Sequence, residues 1–301
     1  AGIHEVAAGF LNDAVTDTED RNLYLQRITI RRPAGGTDPV LLTTTEWAEA
    51  IEARERETVA QTQSAIERHR KADATIRVVD TAGPPTVGAK VAVEQTSHNF
   101  LFGCNIYSFD RYRSGALNSA YKERFEALFN YATVGFYWRS YEPERGKPRY
   151  EYTDRVVAWC RERGIRLKGH PLLWGNRAGI PVWSDGQPSP EVGRRRVTEI
   201  INRYRGKIEF WEVVNEPSHL PRPKIDEPYR WARQAAPQAY LIVNDYHVLA
   251  DGRPRFFQLL GEARQIGVPF DGIGMQAREP RTMRFPLDRG QETLDHYASL
   301  E

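Results

Sequence analysis

The sequence predicts an α/β protein, a (β/α)8 TIM barrel of which this chain supplies about six βα units, preceded by a small β and helical extension. Three observations carry the prediction. From Phe100 onward, short apolar runs alternate with amphipathic helical stretches, the rhythm of parallel βα units. No glycine-rich dinucleotide fingerprint opens these units, which favours a barrel over a doubly wound sheet. Several runs also end in polar side chains, as barrel strands do at the mouth where chemistry takes place.

Residues 1–40 read as a partial β module. Leu23-Tyr24-Leu25-Gln26-Arg27-Ile28-Thr29-Ile30 alternates apolar with polar and stops at Pro33-Ala34-Gly35-Gly36, a strand followed by a turn. Phe10-Leu11-Asn12-Asp13 and Asp20-Arg21-Asn22-Leu23-Tyr24 resemble the last strands of calcium-dependent, xylan-binding β-sandwich modules. By that resemblance the module would be carbohydrate-binding, with Asp13, Asp17 and Asp20 as remnants of an oxygen-rich calcium site. Acidic residues in a polar surface loop explain the same pattern without a metal.

Residues 41–75 form a helical linker, with a helix from about 45 to 71 opened by the capping box Thr43-Thr44-Thr45-Glu46. Residues 76–99 read as a β-hairpin extension, with alternating runs at 76–79 and 87–93 about Gly83-Pro84-Pro85.

Residues 100–301 carry the barrel, with strands expected near 101–107, 131–138, 166–174, 208–216, 240–246 and 272–276. One intervening helix shows the stripe Leu117, Tyr121, Phe125, Leu128 and Phe129, and another Val197, Ile200, Ile201 and Tyr204. Ser189-Pro190-Glu191 opens the second with a cap, a proline at the first helical position and a first-turn acid. A last helix runs over 287–300. A seventh and eighth unit are not among these residues. The open sheet edges are therefore expected to meet a strand-completing partner or a second copy.

Composition excludes several classes of partner. Lys and Arg number 42 against 40 Asp and Glu, a formal charge of +2, so no nucleic-acid-binding surface is expected. The Arg194, Arg195 and Arg196 cluster reads as a solvated helix face. Cys104 and Cys160 are too few for a disulfide framework, and their apolar neighbours suit buried thiols. No run approaches the ~20 apolar residues of a membrane span, and no signal peptide opens the chain.

The strongest polar strand end is Trp211-Glu212-Val213-Val214-Asn215-Glu216-Pro217, which sets a carboxyl beside an amide at the barrel mouth. Alone, Asn-Glu-Pro is unspecific. Taken in order with Gly169-His170-Pro171-Leu172-Leu173-Trp174, Asn244-Asp245-Tyr246 and Gly272-Ile273-Gly274-Met275-Gln276, and with Glu142-Pro143-Glu144-Arg145-Gly146 after the second strand, it resembles glycoside hydrolase family 10 of the retaining endo-β-1,4-xylanase type.

The resemblance implies Glu216 as the general acid/base and Asn215 as holder of the sugar 2-hydroxyl. It implies His170 as a ligand of the same sugar, Trp174 as a wall of that subsite, Gln276 near the nucleophile, and Tyr246 at the edge. The expected partner is β-1,4-xylan or a xylo-oligosaccharide, with no metal and no organic cofactor. A polymeric substrate implies secretion. The nucleophile belongs to the seventh strand, which these residues do not include.

Blander readings stand beside each residue. Glu216 could cap a segment or pair with arginine, His170 could be a satisfied barrel-mouth histidine, and Trp174 and Tyr246 could simply pack. Asn244 and Asp245 are expected to hold loops. Thr44-Thr45-Glu46-Trp47 superficially resembles a threonine–glutamate–aromatic strand end, which could hold the nucleophile only in a circularly permuted chain, and the capping box with the helical run after it accounts for these residues without one.

Three departures from the family are plain. Arg278 stands where a histidine is usual, and Gly175-Asn176-Arg177 follows Trp174 without a histidine. The second strand presents Thr133-Val134-Gly135-Phe136-Tyr137-Trp138-Arg139 instead of acid, amide and lysine. Two rivals remain at this level: a catalytically inactive carbohydrate-binding relative, and a phosphate-ester or sugar isomerase barrel, which would need the late βα loops.

Overall fold

The computed structural model describes residues 28–30, 40–42, 44–79, 88, 90–96, 98–220, 223–251, 253–277 and 287–300. Asp13, Asp17, Asp20, the turn at 33–36 and Arg278 lie outside them. The chain divides into two compact units, the first built chiefly on residues 1–74 and the second beginning at Thr75.

In the first unit, β1 (Ile28–Ile30) pairs antiparallel with β2 (Val40–Leu42), Thr29 opposite Leu41. Only the last three residues of the expected 23–30 strand are described. Val40-Leu41-Leu42 is an added strand that its three-residue run, too short to alternate, does not announce. α1 (Thr44–His69) follows, its exposed turns tied by polar pairs four residues apart such as Gln63 to Glu67 and Lys71 to Glu67. Glu46 thus lies in the opening turn of a helix, not at a strand end.

In the second unit, residues 75–78 and 90–96 form no strand and Val79 makes a single bridge, while 80–87 lie outside the described residues. Val91 and Val93 are 51% and 81% exposed. Alternation supplies strand propensity, but without apolar surface to cover there is little to hold such a pairing.

The main sheet is wholly parallel. Its order is β3 (Gly103–Asn105), β4 (Tyr131–Gly135), β5 (Arg166–His170), β7 (Phe210–Asn215), β8 (Tyr240–Tyr246) and β9 (Gly272–Gln276), with the short β6 (Leu173–Trp174) alongside the end of β7. These are the six expected barrel strands, each in its expected segment. Between them run α2 (Gly115–Leu128), α3 (Trp138–Tyr141), α4 (Tyr150–Glu162), α5 (Pro190–Arg203), α6 (Asp226–Ala235), α7 (Val248–Asp251) and α8 (Pro254–Gln265), and α9 (Leu287–Ala298) follows β9. No helix among the described residues is long and apolar enough to cross a membrane.

Alternation within the strands separates two layers. Ala132, Val134, Leu167, Trp211, Val213, Leu241 and Val243 are buried, and the core continues through Val156, Cys160, Val197, Ile201, Tyr204, Tyr229, Phe256 and Leu260 of the helices. Trp211 sets the fit of β7 to β5. A Cβ on Gly169 would lie 2.2 Å from its ring, so only glycine lets the indole in.

Two expectations fail at β3. Of the α2 stripe only Phe125 is buried, with Leu117 and Leu128 56% and 63% exposed, and Cys104 is exposed while Cys160 is buried. Among the described residues β3 has a neighbour on one side only, so the flank that would cover these residues is open.

Candidate active site

The site is built by an irregularity in β7. Glu212 pairs with Ile242 of β8 but Asn215 pairs with Asn244, so three steps on β7 match two on β8. An extra residue in one strand reverses the alternation, and it brings Glu212 and Asn215 to the same side despite their odd spacing. The next residue, Glu216, has φ +55°, a left-handed backbone that a non-glycine residue adopts at a cost of about 1 kcal/mol or more. Three backbone bonds hold it there: Glu216 N donates to Asn244 O at 3.0 Å, and His219 N and Leu220 N donate to Glu216 O at 3.2 and 2.9 Å.

Glu216 is 8% exposed, and its carboxylate is held from both flanks. Trp174 Nε1 donates to Oε2 at 3.0 Å, and Gln276 Nε2, from the far strand β9, donates to Oε1 at 2.8 Å. Each oxygen keeps lone-pair capacity beyond that one donor. Asn215 lies just beneath. Its amide satisfies its neighbours with nitrogen toward Glu212 Oε1 at 2.7 Å and oxygen toward Trp174 Nε1 at 3.2 Å.

Below this pair sits Glu212, fully buried and surrounded by donors. Lys168 Nζ is 3.3 Å from Oε2, Asn244 Nδ2 donates to Oε1 at 3.1 Å, and His170 Nδ1 lies 2.9 Å from Oε1 without hydrogen-bond alignment. Burial would raise the pKa of Glu212, but His170 and Lys168 outweigh it and hold the carboxyl below its ordinary range. Tyr137 Oη hydrogen-bonds His170 Nε2 at 3.2 Å, so both imidazole nitrogens face fixed neighbours.

Tyr246 pairs in register with Gln276 and stacks on His219, ring centroids 3.5 Å apart and planes 14° from parallel. Buried Asp245 accepts from Ser218 N and Tyr246 N, both at 2.8 Å, and pairs with His219 Nδ1. Asp245 therefore fixes the loop after Glu216.

The residues singled out in the sequence thus fall into one constellation. Glu216, Trp174 and Gln276 touch, Asn215 adjoins Trp174, His170 joins through Glu212, and Tyr246 stands across the β8–β9 pair. The sequence reading leaves Glu212, Lys168, Tyr137 and His219 without a role. Glu212 does carry a signal, being a charged residue inside an otherwise apolar run, which marks an inward face of a barrel; Lys168, in the mixed run Arg166-Leu167-Lys168-Gly169-His170, does not. Tyr137 and His219 carry none, because their partners come from other strands. Among the described residues no group of His, Cys, Asp and Glu is arranged to hold a metal ion.

Comparison with known proteins converges on one family. The family model of glycosyl hydrolase family 10 matches residues 94–301. Endo-1,4-beta-xylanase 1 of Arabidopsis thaliana is 28% identical over 226 residues, which is 69% of this chain and 23% of that protein. The anti-sigma-I factor RsgI6 of Acetivibrio thermocellus is 28% identical over 230 residues, 72% of this chain and 30% of that protein. Among solved structures, xylanase 10B of Thermotoga petrophila RKU-1 in complex with xylobiose superposes with a TM-score of 0.54 at 24% identity, over 66% of this chain and 65% of that one. The chain therefore spans less than a third of the length of these two curated relatives, and the structural likeness speaks to the fold.

Proposed function

The chain belongs to glycosyl hydrolase family 10 through residues 94–301, and on that premise we propose that its cleft takes β-1,4-xylan or xylo-oligosaccharides for retaining hydrolysis of internal linkages, with Glu216 as general acid/base. The observation that carries this reading is the Glu216 carboxylate, held at the end of β7 between Trp174 Nε1 and Gln276 Nε2. In the first half of such a reaction Glu216 gives its proton to the departing glycosidic oxygen while a second carboxylate attacks the anomeric carbon. In the second half Glu216 takes a proton from the water that releases the sugar.

Asn215 and His170 lie where a sugar hydroxyl would meet an amide and an imidazole, and the Trp174 ring offers a flat face to an apolar sugar face. Tyr246 would border the neighbouring sugar. The second carboxylate belongs, by family resemblance, to the strand after β9. A polymeric substrate of this kind places the action outside the cell.

A second reading is glycan binding without turnover. It is favoured by a relative named as an anti-sigma factor, which shows that similar sequence occurs outside proteins named as xylanases. The test is reducing-sugar release from β-1,4-xylan by the protein and by Glu216→Gln, with xylotetraose binding measured on both. Hydrolysis should fall by about 10²- to 10⁴-fold in Glu216→Gln, the usual worth of a general acid/base, while binding persists. Binding with no release by either protein selects the second reading. Release that survives in Glu216→Gln removes Glu216 from the chemistry.

A further inference from the structure

Following the sheet from β7 through β5 and β4 to β3, the residues at or just beyond the strand ends are Glu216, His170, Tyr137 and Tyr107, with Trp174 beside His170. The two tyrosines therefore stand on the flank of His170 that faces away from Glu216. They also stand close together. Their rings meet edge to face with centroids 5.8 Å apart, and their hydroxyls are 3.5 Å apart. Tyr137 continues the wall onto the sugar-facing residues, edge to face with His170 at 5.6 Å and tilted against Trp174 at 6.0 Å, with its hydroxyl on His170 Nε2.

Beneath the pair is Gly135, where an added Cβ would come within 3.1 Å of the Tyr107 ring and 3.5 Å of the Tyr137 ring. The rings thus rest directly on the strand. Burial, and then Tyr137 beside it, push the Tyr107 hydroxyl well above its ordinary pKa, so that hydroxyl stays neutral across the physiological range.

We propose that Tyr137, backed by Tyr107, is a specificity-determining wall that closes the cleft on the β3–β4 side, so that the sugar held at His170 and Trp174 is the last one accommodated in that direction. The inference rests on the reading of the cleft as a sugar site. An aromatic pair seated on a glycine strand end and hydrogen-bonded to the sugar-side histidine leaves no groove there for a further ring. A bound oligosaccharide extends only toward β8 and β9, past Tyr246. This inference narrows the internal-linkage reading above: with that flank closed, the linkage cut is the one beside a chain end, so short chains and chain ends are favoured over the middle of a polymer.

The experiment compares xylotriose carrying a bulky fluorophore at its reducing end with the same sugar tagged at its non-reducing end, each titrated into the unmodified protein. A closed flank predicts that one tag lowers affinity by more than about tenfold while the other is tolerated, and equal affinities overturn the proposal. In Tyr137→Ala the rejected tag should regain affinity, whereas Tyr137→Phe, which keeps the ring, should go on rejecting it. If Tyr137→Ala folds and still rejects the tag, Tyr137 is not the wall. Should Tyr137→Ala fail to fold, the tagged pair on the unmodified protein still decides whether the flank is closed. Failure of untagged xylotriose to bind at all is a separate result, since it precedes any comparison of tags and removes the sugar-site reading itself.

Discussion

Glu212 is the residue on which the site depends without touching a substrate. A fully buried carboxylate survives only if its neighbours repay the lost hydration, and here Lys168, His170, Asn244 and Asn215 surround it. Its pKa is held below the unfolded value, so it adds stability above that value. That stability is lost as pH falls from about 4.5 through the folded pKa. Glu212→Gln should therefore cost about 3 kcal/mol at neutral pH, because it leaves Lys168 without its buried counter-charge, and should flatten the decline in stability below pH 4.5. Urea unfolding across pH reads both effects, and an unchanged acid limb in Glu212→Gln would assign that limb to other groups.

Glu216, Asn215, His170, Trp174 and Gln276 are legible as a set in the sequence because each sits at or near a strand end. That Glu212 joins them is not, since its direction depends on a bulge fixed by pairing with a strand some thirty residues away.

At the scale of elements, the register of β5 against β7 is set by the partnership of Gly169 and Trp211. The indole packs on Phe136 with centroids 5.4 Å apart and occupies the space a side chain at 169 would need. Gly169→Ala should lower unfolding stability by about 3 kcal/mol, the upper end of ordinary overpacking, and should weaken sugar binding by displacing His170, the next residue. A loss below about 0.5 kcal/mol in a urea titration would mean that the indole moves freely, contrary to a close-packed strand pair.

Helices were easier to read than their faces. Val197, Ile200 and Ile201 of α5, and Tyr204 that caps it, are buried as their spacing predicts, because they join the core cluster. Leu117 and Leu128 of α2 have the same spacing and stay exposed. Periodicity gives the side of a helix that wants cover, but not whether cover is present.

At the scale of the whole molecule, the parallel sheet has one-sided strands at β3 and β9 among the described residues. Phe100 and Phe102, just before β3, and Leu117 and Leu128 of α2 are all more than half exposed. Unpaired strand edges beside exposed apolar side chains favour association with another strand, whether from a partner or from a second copy. The sedimentation coefficient of the chain should thus rise with concentration, and Leu117→Lys with Leu128→Lys should suppress the rise. A constant monomer value over the same range would show that the edge is covered in another way.

If the groups gathered around Glu216 form a site for β-1,4-linked xylose, calorimetric titration of xylotetraose into the protein, with His170→Ala and Trp174→Ala as controls, detects it. The account predicts saturable binding that each substitution weakens by about tenfold or more, the loss expected when a central polar or aromatic contact is removed. Absence of binding, or binding that both substitutions leave unchanged, would contradict it.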